Sequence, residues 1–124
     1  MILIVDDHTD TTHPLRLLLK RYGYDAESVN SGDEALRRMR THKPQLVLLD
    51  VMMPGMSGME VLRAVKADPA LRDIPILMYS AGINIAFKEE ARRLGARVWL
   101  TKGQIKWKDL VKHVETHAGA GAKA

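Results

Sequence analysis

Three aspartates each follow a short run of apolar residues. Asp6 and Asp7 end the stretch ILIVDD near the start of the chain, and Asp50 ends the stretch LVLLD. Carboxylates that are held close together repel one another, and some stay protonated unless a cation lies between them. Oxygen ligands with room for water favour Mg²⁺, which usually takes one or two carboxylates together with a phosphate. The three acids therefore predict a Mg²⁺ site, provided that the fold brings the two runs together.

Two further polar residues follow apolar runs and would complete the chemistry of such a site. Ser80 follows ILMY, and its hydroxyl can donate a hydrogen bond. Lys102 follows VWLT and would supply a compact positive charge that suits a phosphoryl oxygen. In that setting a carboxylate can act as a nucleophile and form an aspartyl phosphate. The five residues together describe a pocket for a phosphoryl group.

The apolar runs alternate with helical patterns along the chain. Their nearly continuous hydrophobicity is typical of strands that are covered on both faces of a parallel sheet. The predicted strands lie at 2–5, 25–29, 46–49, 76–79 and 98–100, the second being the weakest pattern. The helical patterns lie at about 12–22, from Ser31 onward, and at 57–66, 84–94 and 105–117.

Five strand–helix pairs in sequence predict an α/β fold with a doubly wound, five-stranded parallel sheet. Crossovers in such sheets are right-handed, which leaves few topologies. We expect the flavodoxin-like strand order 2-1-3-4-5, with the switch point between the first and third strands. Ligands bind beyond the carboxyl ends of the strands at this point, which is where Asp6, Asp7 and Asp50 would lie.

Three details of the helices are also predicted. The first helix is expected to begin near Thr12, so that Pro14 lies in its first turn, where a missing N–H is tolerated. Ser31 is a suitable N-cap for the second helix. In the last helix Trp107 shares one face with three aliphatic residues and is expected in the core; these are Leu110, Val111 and Val114.

Composition narrows the class of protein. The 124 residues predict one domain at 1–117, followed by a flexible tail or linker stub, AGAGAKA, at 118–124. No apolar stretch is long enough to span a bilayer, and MILIVDD lacks the features of a signal peptide. The absence of cysteine excludes disulfides and thiolate metal sites, and we expect a cytoplasmic protein. The net charge of +4 comes from dispersed Lys and Arg residues, which argues against direct binding of nucleic acid.

The chain resembles the receiver domains of two-component response regulators over nearly its whole length. The matching fragments are VDD at 5–7, LLDVMMPGMSGMEVL around Asp50, YSA at 79–81 and WLTK at 99–102. Ser80 lies 30 residues after Asp50 and Lys102 lies 22 residues after Ser80, which also agrees with that family. Each fragment alone is a weak signal, whereas all of them in this order and spacing are specific.

The resemblance implies a role for each acid. Asp50 would be the phosphoacceptor and would also hold Mg²⁺, together with Asp6 and Asp7. Asp7 is expected to be a direct ligand, and Asp6 to act partly through water. The backbone carbonyl of Met52 would complete the metal ligands.

The resemblance also implies a switch and partners. Lys102 would pair with the phosphoryl group and Asp50, Ser80 would bond a phosphoryl oxygen, and the orientation of Trp99 would follow Ser80. The phosphodonor would be a phosphohistidine on a sensor histidine kinase or a histidine phosphotransfer protein. A downstream effector would bind the surface of helix 4, strand 5 and helix 5. We expect a monomer or weak dimer that catalyses no reaction beyond its own phosphorylation and dephosphorylation.

The chain departs from the family pattern in three ways beside the site. Gly103 follows Lys102 where the family usually has a proline in a cis peptide. A cis bond to a residue other than proline costs roughly 3 kcal/mol, so we expect a trans peptide or a rearranged loop. Trp99 is larger than the usual Tyr or Phe. Met52 and Gly82 flank the phosphorylation site, and neither side chain is polar.

Other functions fit the residues less well. A Mg²⁺-dependent phosphatase with an aspartate nucleophile is the alternative, but its general acid should be an Asp where this chain has Met52. A flavin-binding domain shares the topology, yet the acids of DDHTD would repel the flavin phosphate. The motif GxxxxGK[ST] does not occur, which argues against a P-loop NTPase.

Overall fold

The computed structural model describes residues 1–119, which form a five-stranded parallel sheet with helices on both faces. The strand order is β2-β1-β3-β4-β5, which confirms the predicted flavodoxin-like topology. The strands are β1 Ile2–Val5, β2 Ala26–Val29, β3 Leu46–Leu49, β4 Ile76–Ser80 and β5 Val98–Thr101. The helices are α1 Thr9–Arg21, α2 Gly32–Thr41, α3 Gly58–Ala67, α4 Ile85–Leu94 and α5 Trp107–Ala118.

The sheet separates two hydrophobic cores. Successive residues of a strand point to opposite faces, so Leu3 and Val5 pack against one set of helices, and Ile2 and Ile4 against the other. The first core contains residues of α2, α3 and α4, and the second contains residues of α1 and α5. Every residue of β1, β3 and β4 is buried, as their continuous apolar sequences predict.

The strand register brings the polar residues to one edge. Val5 pairs with Leu49, so Asp6 and Asp50 leave the sheet side by side, and the Asp50 N–H donates to the Val5 carbonyl at 2.9 Å. Ser80 pairs with residue 101, which directly precedes Lys102. Residues from β1, β3, β4 and β5 therefore meet at the carboxyl edge.

The start of α1 differs from the prediction. The helix begins at Thr9 with His8 as its N-cap residue, so Pro14 lies inside the helix rather than in its first turn. A proline at this position removes one intrahelical hydrogen bond. Packing of Leu15 and Leu19 against the sheet offsets that loss, because both side chains are fully buried. The predicted Ser31 cap is confirmed, since its side chain accepts a hydrogen bond from the Glu34 N–H.

The prediction that Trp107 belongs to the core is wrong, because 45% of this residue is exposed. Trp107 is the first residue of α5, and helical side chains lean toward the N-terminus of their helix. Its indole therefore projects beyond the core and lies in a surface groove beside Leu17 and Leu18 of α1. The aliphatic residues with which it was grouped are buried as expected: Leu110, Val111 and Val114.

Two observations concern the limits of the domain. Helix α5 ends at Ala118, and residues 120–124 of the predicted tail lie outside the described residues. Within residues 1–119, no helix has the length and apolar character that crossing a bilayer requires.

Candidate functional site

An acidic cluster lies at the carboxyl ends of β1 and β3. Asp6, Asp7, His8 and Asp50 each offer one ligand atom, and these four atoms lie within 4.8 Å of one another. Asp6 and Asp50 are 4% and 3% exposed, whereas Asp7 and His8 lie closer to the surface. The structure thus brings together the three acids that the sequence singled out, and adds a histidine.

Lys102 reaches the cluster from the end of β5. Its ammonium donates to Asp6 Oδ2 at 2.5 Å and lies 3.5 Å from Asp50 Oδ2. The same ammonium lies 5.5 Å from the centroid of the Tyr79 ring, within the range of a cation–π contact. The lysine therefore partly neutralises two buried acids from different strands.

The environment of Asp50 opposes its ionisation. Burial raises the pKa of this carboxyl above its ordinary value, the positive charge of Lys102 offsets part of that effect, and the charge of Asp6 adds to it. Burial likewise raises the pKa of the Tyr79 hydroxyl, with a smaller contribution from Asp6. One ammonium is therefore not enough to offset the cost of holding charged acids in this pocket, and a second cation would stabilise them.

The donor set fits a divalent cation. Asp7 Oδ1 is buried and has no hydrogen-bond partner within residues 1–119. His8 Nδ1 lies 3.1 Å from this oxygen, but the contact lacks hydrogen-bond geometry. The ring forms its hydrogen bond with Asp6 Oδ1 instead. A buried carboxylate oxygen without a partner is costly, and a metal ion would satisfy it. The residues present are thus compatible with the predicted Mg²⁺.

Gly58, at the start of α3, lies against the backbone of Asp50. Ser57 caps α3 by accepting a hydrogen bond from the Glu60 N–H, and the Gly58 N–H donates to the Val51 carbonyl at 2.9 Å. A Cβ on Gly58 would overlap the backbone oxygen of Asp50 and lie 2.8 Å from the Val51 Cα. The helix can approach the end of β3 this closely only because residue 58 has no side chain.

Ser80 and Trp99 line a cavity of about 170 Å³ together with Met52, Gly82 and Val51, the residue that follows Asp50. Ser80 is 3% exposed at the end of β4, and the Trp99 indole N–H is buried without a partner within the described residues. Met52 is 70% exposed, so its side chain reaches out into solvent. Ser80 and Trp99 therefore line the same cavity, and few of the cavity's other lining side chains are polar.

The peptide bond between Lys102 and Gly103 is trans. This was one of the two expectations for the loop. Gly103 has a φ of 80°, in the left-handed region that glycine tolerates without strain. The backbone N–H of Lys102 donates to the Ser80 carbonyl at 2.8 Å. The position of the lysine is therefore fixed by β4 as well as by β5, without a proline.

Sequence reasoning missed three residues of this site. His8 follows VDD directly, and this adjacency was the signal that could have pointed to it. Tyr79 falls in a predicted strand and in the YSA fragment, and neither pattern indicates the contact of its ring with Lys102. Gly58 lies in the SGME segment, where the sequence indicates only the start of a helix. Its close approach to Asp50 depends on tertiary packing, which the sequence pattern does not indicate.

Comparison with known proteins identifies the family. Residues 2–115 match the response regulator receiver domain. The chain belongs to this family. The polar-differentiation response regulator DivK of Brucella ovis is 34% identical over 101 residues, which cover 82% of this receiver domain and 82% of DivK.

Two other proteins are similar to this chain, one in sequence and one in its solved structure. The alkaline phosphatase synthesis transcriptional regulatory protein PhoP of Bacillus subtilis is 38% identical over 101 residues, which are 82% of this chain and 41% of PhoP. The receiver domain thus spans less than half the length of PhoP. The solved structure of the Vibrio cholerae chemotaxis protein CheY4 has a TM-score of 0.85 at 29% identity, and the match covers 94% of this chain and 96% of that chain.

Proposed function

We propose that this receiver domain accepts a phosphoryl group on Asp50 from a phosphohistidine of a sensor histidine kinase or a histidine phosphotransfer protein in the cytoplasm. One observation carries the proposal: Asp50 is buried at the end of β3, and both a lysine and two further acids reach it from neighbouring strands. Membership of the receiver family supports the same reaction.

The transfer takes place between the phosphohistidine of the donor and the Asp50 carboxylate. An Asp50 carboxylate oxygen attacks the phosphorus, the bond between phosphorus and the donor imidazole nitrogen breaks, and its electron pair returns to that imidazole, which takes up a proton. The product is an acyl phosphate on Asp50. In such a reaction, catalysis consists mostly of positioning and of stabilising negative charge.

The carboxylates of Asp6, Asp7 and Asp50 and the backbone carbonyl of Met52 would hold Mg²⁺. The ion supplies positive charge that neutralises the acids and the phosphoryl oxygens. Asp7 is suited to direct ligation because its Oδ1 is buried without a hydrogen-bond partner within residues 1–119. Asp6 is already bonded to Lys102 and His8, which suits ligation partly through water.

Lys102, Ser80 and Trp99 would respond to the phosphoryl group. Lys102 is 3.5 Å from Asp50 Oδ2 and would bond a phosphoryl oxygen there. Ser80 would donate its hydroxyl to another oxygen, and the motion of Ser80 would open or close the cavity that it shares with Trp99. A ligand can shift a two-state equilibrium only through contacts that differ between the states, and these two residues supply them.

The resulting output surface would consist of α4, β5 and α5, which would bind a downstream effector. Within α4, Ala91 is the one residue that is buried, so this helix is held by few core contacts. The Arg63 guanidinium makes a bidentate ion pair with Glu90, at 2.6 and 2.8 Å, which ties α4 to α3. Ile83, just before α4, and Ile85, its first residue, are 54% and 76% exposed and would contact the effector.

Phosphorylation by acetyl phosphate tests the proposal. Intact-mass spectrometry should show one added phosphoryl group on the wild type when Mg²⁺ is present and none when it is chelated. Asp50→Asn should abolish the addition, whereas Asp33→Asn, at an exposed acid in the first turn of α2, should leave it unchanged. Full modification of Asp50→Asn would contradict the proposal. Multiple-turnover hydrolysis of a phosphate ester would favour a phosphatase instead.

A further inference from the structure

His8 is the least explained residue of the acidic cluster. Its backbone N–H donates to Asp6 Oδ1 at 2.9 Å, and it is the N-cap residue of α1, yet its side chain makes no capping hydrogen bond. Hydrophobic burial does not hold the ring either, because 63% of the side chain is exposed. Neither capping nor burial therefore accounts for the orientation of this imidazole.

The ring nevertheless directs its Nδ1 into the cluster. This nitrogen is hydrogen-bonded to Asp6 Oδ1 at 3.1 Å and lies 3.1 Å from Asp7 Oδ1, so it would bind a metal ion in the tautomer that carries the ring proton on Nε2. It is also one of the four ligand atoms that lie within 4.8 Å of one another, with Asp50 among the others. An ion bound by all four groups would have one nitrogen and three carboxylate oxygens as ligands.

A nitrogen ligand changes which metal ion a site favours. Mg²⁺ is a hard cation that prefers oxygen ligands and keeps several waters. Imidazole suits later transition ions, and affinity at mixed nitrogen and oxygen sites rises from Mn²⁺ through Co²⁺ to Ni²⁺. A site built from Asp6, Asp7 and Asp50 alone would lack this source of discrimination.

We propose that His8 is a fourth ligand of this metal site and gives it a preference for late first-row divalent ions, such as Co²⁺, Ni²⁺ and Zn²⁺, over Mg²⁺. The inference rests on the proposed function in that Asp6, Asp7 and Asp50 must hold a metal ion. The three carboxylates bind Mg²⁺ when no softer ion is present. The identity of the ion at the phosphorylation site then depends on the concentrations of late first-row ions as well as on that of Mg²⁺.

The other role open to His8 is that of a counter-ion. A protonated ring would neutralise Asp6 and Asp7 and would leave when a metal ion arrived. The two roles predict opposite effects of removing the ring. Loss of a ligand weakens the binding of Co²⁺, whereas loss of a competing positive charge strengthens the binding of every divalent ion.

Isothermal titration calorimetry of the metal-free full chain with MgCl₂ and with CoCl₂ separates these roles. His8→Ala should weaken Co²⁺ binding at least about ten-fold, because even removing a supporting partner of a metal ligand costs that much. Its Mg²⁺ affinity should stay within about two-fold of the wild type, since Mg²⁺ gains little from imidazole. His13→Ala, at an exposed histidine of α1 outside the cluster, should change neither affinity.

A second readout identifies the ligand itself. With Co²⁺ bound, the wild type should show a hyperfine-shifted imidazole N–H proton in its ¹H NMR spectrum, and His8→Ala should lose that signal. The histidines of α5, His113 and His117, are present in both proteins, so a signal that persists in His8→Ala would come from another residue and would overturn the proposal.

The calorimetric outcomes also distinguish this inference from the proposed function. Equal Co²⁺ affinity in the wild type and His8→Ala, or tighter binding of both ions by the variant, would overturn the role of His8 as a ligand. If Mg²⁺ still binds in those cases, the proposed phosphorylation site stands. If the wild type binds neither ion, the proposed metal site is wrong and this inference fails with it.

Discussion

The ammonium of Lys102 lies 2.5 Å from Asp6 Oδ2 and 3.5 Å from Asp50 Oδ2. The lysine is therefore hydrogen-bonded to the acid from β1 and only in electrostatic contact with the acid from β3. A strong charge-assisted hydrogen bond to Asp50 would stabilise its negative charge and reduce its nucleophilicity. The arrangement keeps the ammonium within reach of a phosphoryl group on Asp50 while its main bond is with Asp6.

Removal of this ammonium should destabilise the domain. Lys102→Met leaves Asp6 and Asp50 buried without their cation, and breaking a buried pair in this way costs about 3 kcal/mol. Urea denaturation at neutral pH in metal-free buffer should show that loss. Lys112→Met removes an exposed lysine of α5 and should change the free energy of unfolding by less than about 0.5 kcal/mol. Equal effects of the two substitutions would contradict the role of Lys102.

Removal of the ionisable group at Asp50 should have the opposite effect. Because burial raises the pKa of Asp50 above its ordinary value of 3.8, the folded state binds this proton more tightly than the unfolded state does. Stability is therefore lost as the pH rises from that value through the raised folded pKa. Asp50→Asn should stabilise the metal-free domain at neutral pH, by an amount on the order of 1 kcal/mol.

The pH dependence provides the control for that prediction. Well below pH 3.8 both the folded and the unfolded carboxyl are protonated, so the wild type and Asp50→Asn should converge in stability. Urea denaturation across this range, with a chelator present throughout, measures the difference at each pH. A variant that is less stable than the wild type at neutral pH would show that the ionised Asp50 is stabilised in the fold.

The close approach of α3 to Asp50 should make Gly58 sensitive to a methyl group. Gly58→Ala places a Cβ against the Asp50 backbone and should cost about 3 kcal/mol through overpacking, and also slow phosphorylation. Gly82→Ala is a matched control, because a Cβ there would meet no atom within 4 Å. Thermal denaturation compares the two variants, and a Gly58→Ala protein as stable as Gly82→Ala would refute the packing argument.

The lifetime of the phosphoryl group should be long. Hydrolysis needs a water held in line with the acyl phosphate, and a polar side chain nearby can position it. Met52 and Gly82, which line the cavity beside Val51, carry no polar side chain that could do so. Met52→Asn combined with Gly82→Glu should shorten the half-life about ten-fold while leaving Mg²⁺ affinity nearly unchanged.

The decay of phosphoprotein over time, followed by intact mass after the phosphodonor is removed, measures that half-life. The structure also offers an opposing effect, because the space around Gly82 is open and admits water. A half-life that stays equal or lengthens in the double variant would show that water access, rather than water positioning, limits hydrolysis.

Much of the fold could be predicted because the signals were local. The apolar runs of β1 and β3 match the predicted strands in both bounds, since continuous burial leaves few alternatives for a short apolar segment. The strand order and the convergence of Asp6, Asp50 and Lys102 then follow from the handedness of crossovers and from the rule that parallel strands end at one edge.

The remaining errors concern residues whose surroundings are set by tertiary contacts. Trp107 has the spacing of a core residue, but it stands at the first position of α5 and so projects past the core. Helix α1 extends over Pro14 because Leu15 and Leu19 are anchored in the sheet. His8 Nδ1 lies 3.1 Å from both Asp6 and Asp7, and no periodicity in the sequence encodes that orientation.

The most direct test of the central claim is to locate the phosphoryl group. The domain is phosphorylated with acetyl phosphate and Mg²⁺, the acyl phosphate is reduced with borohydride to homoserine, and tandem mass spectrometry identifies the modified residue. We expect homoserine at position 50 and no conversion at Asp6 or Asp7, since Asp6 is hydrogen-bonded to Lys102 and Asp7 would hold Mg²⁺ directly. Conversion at Asp6 or Asp7, with Asp50 intact, would contradict the account.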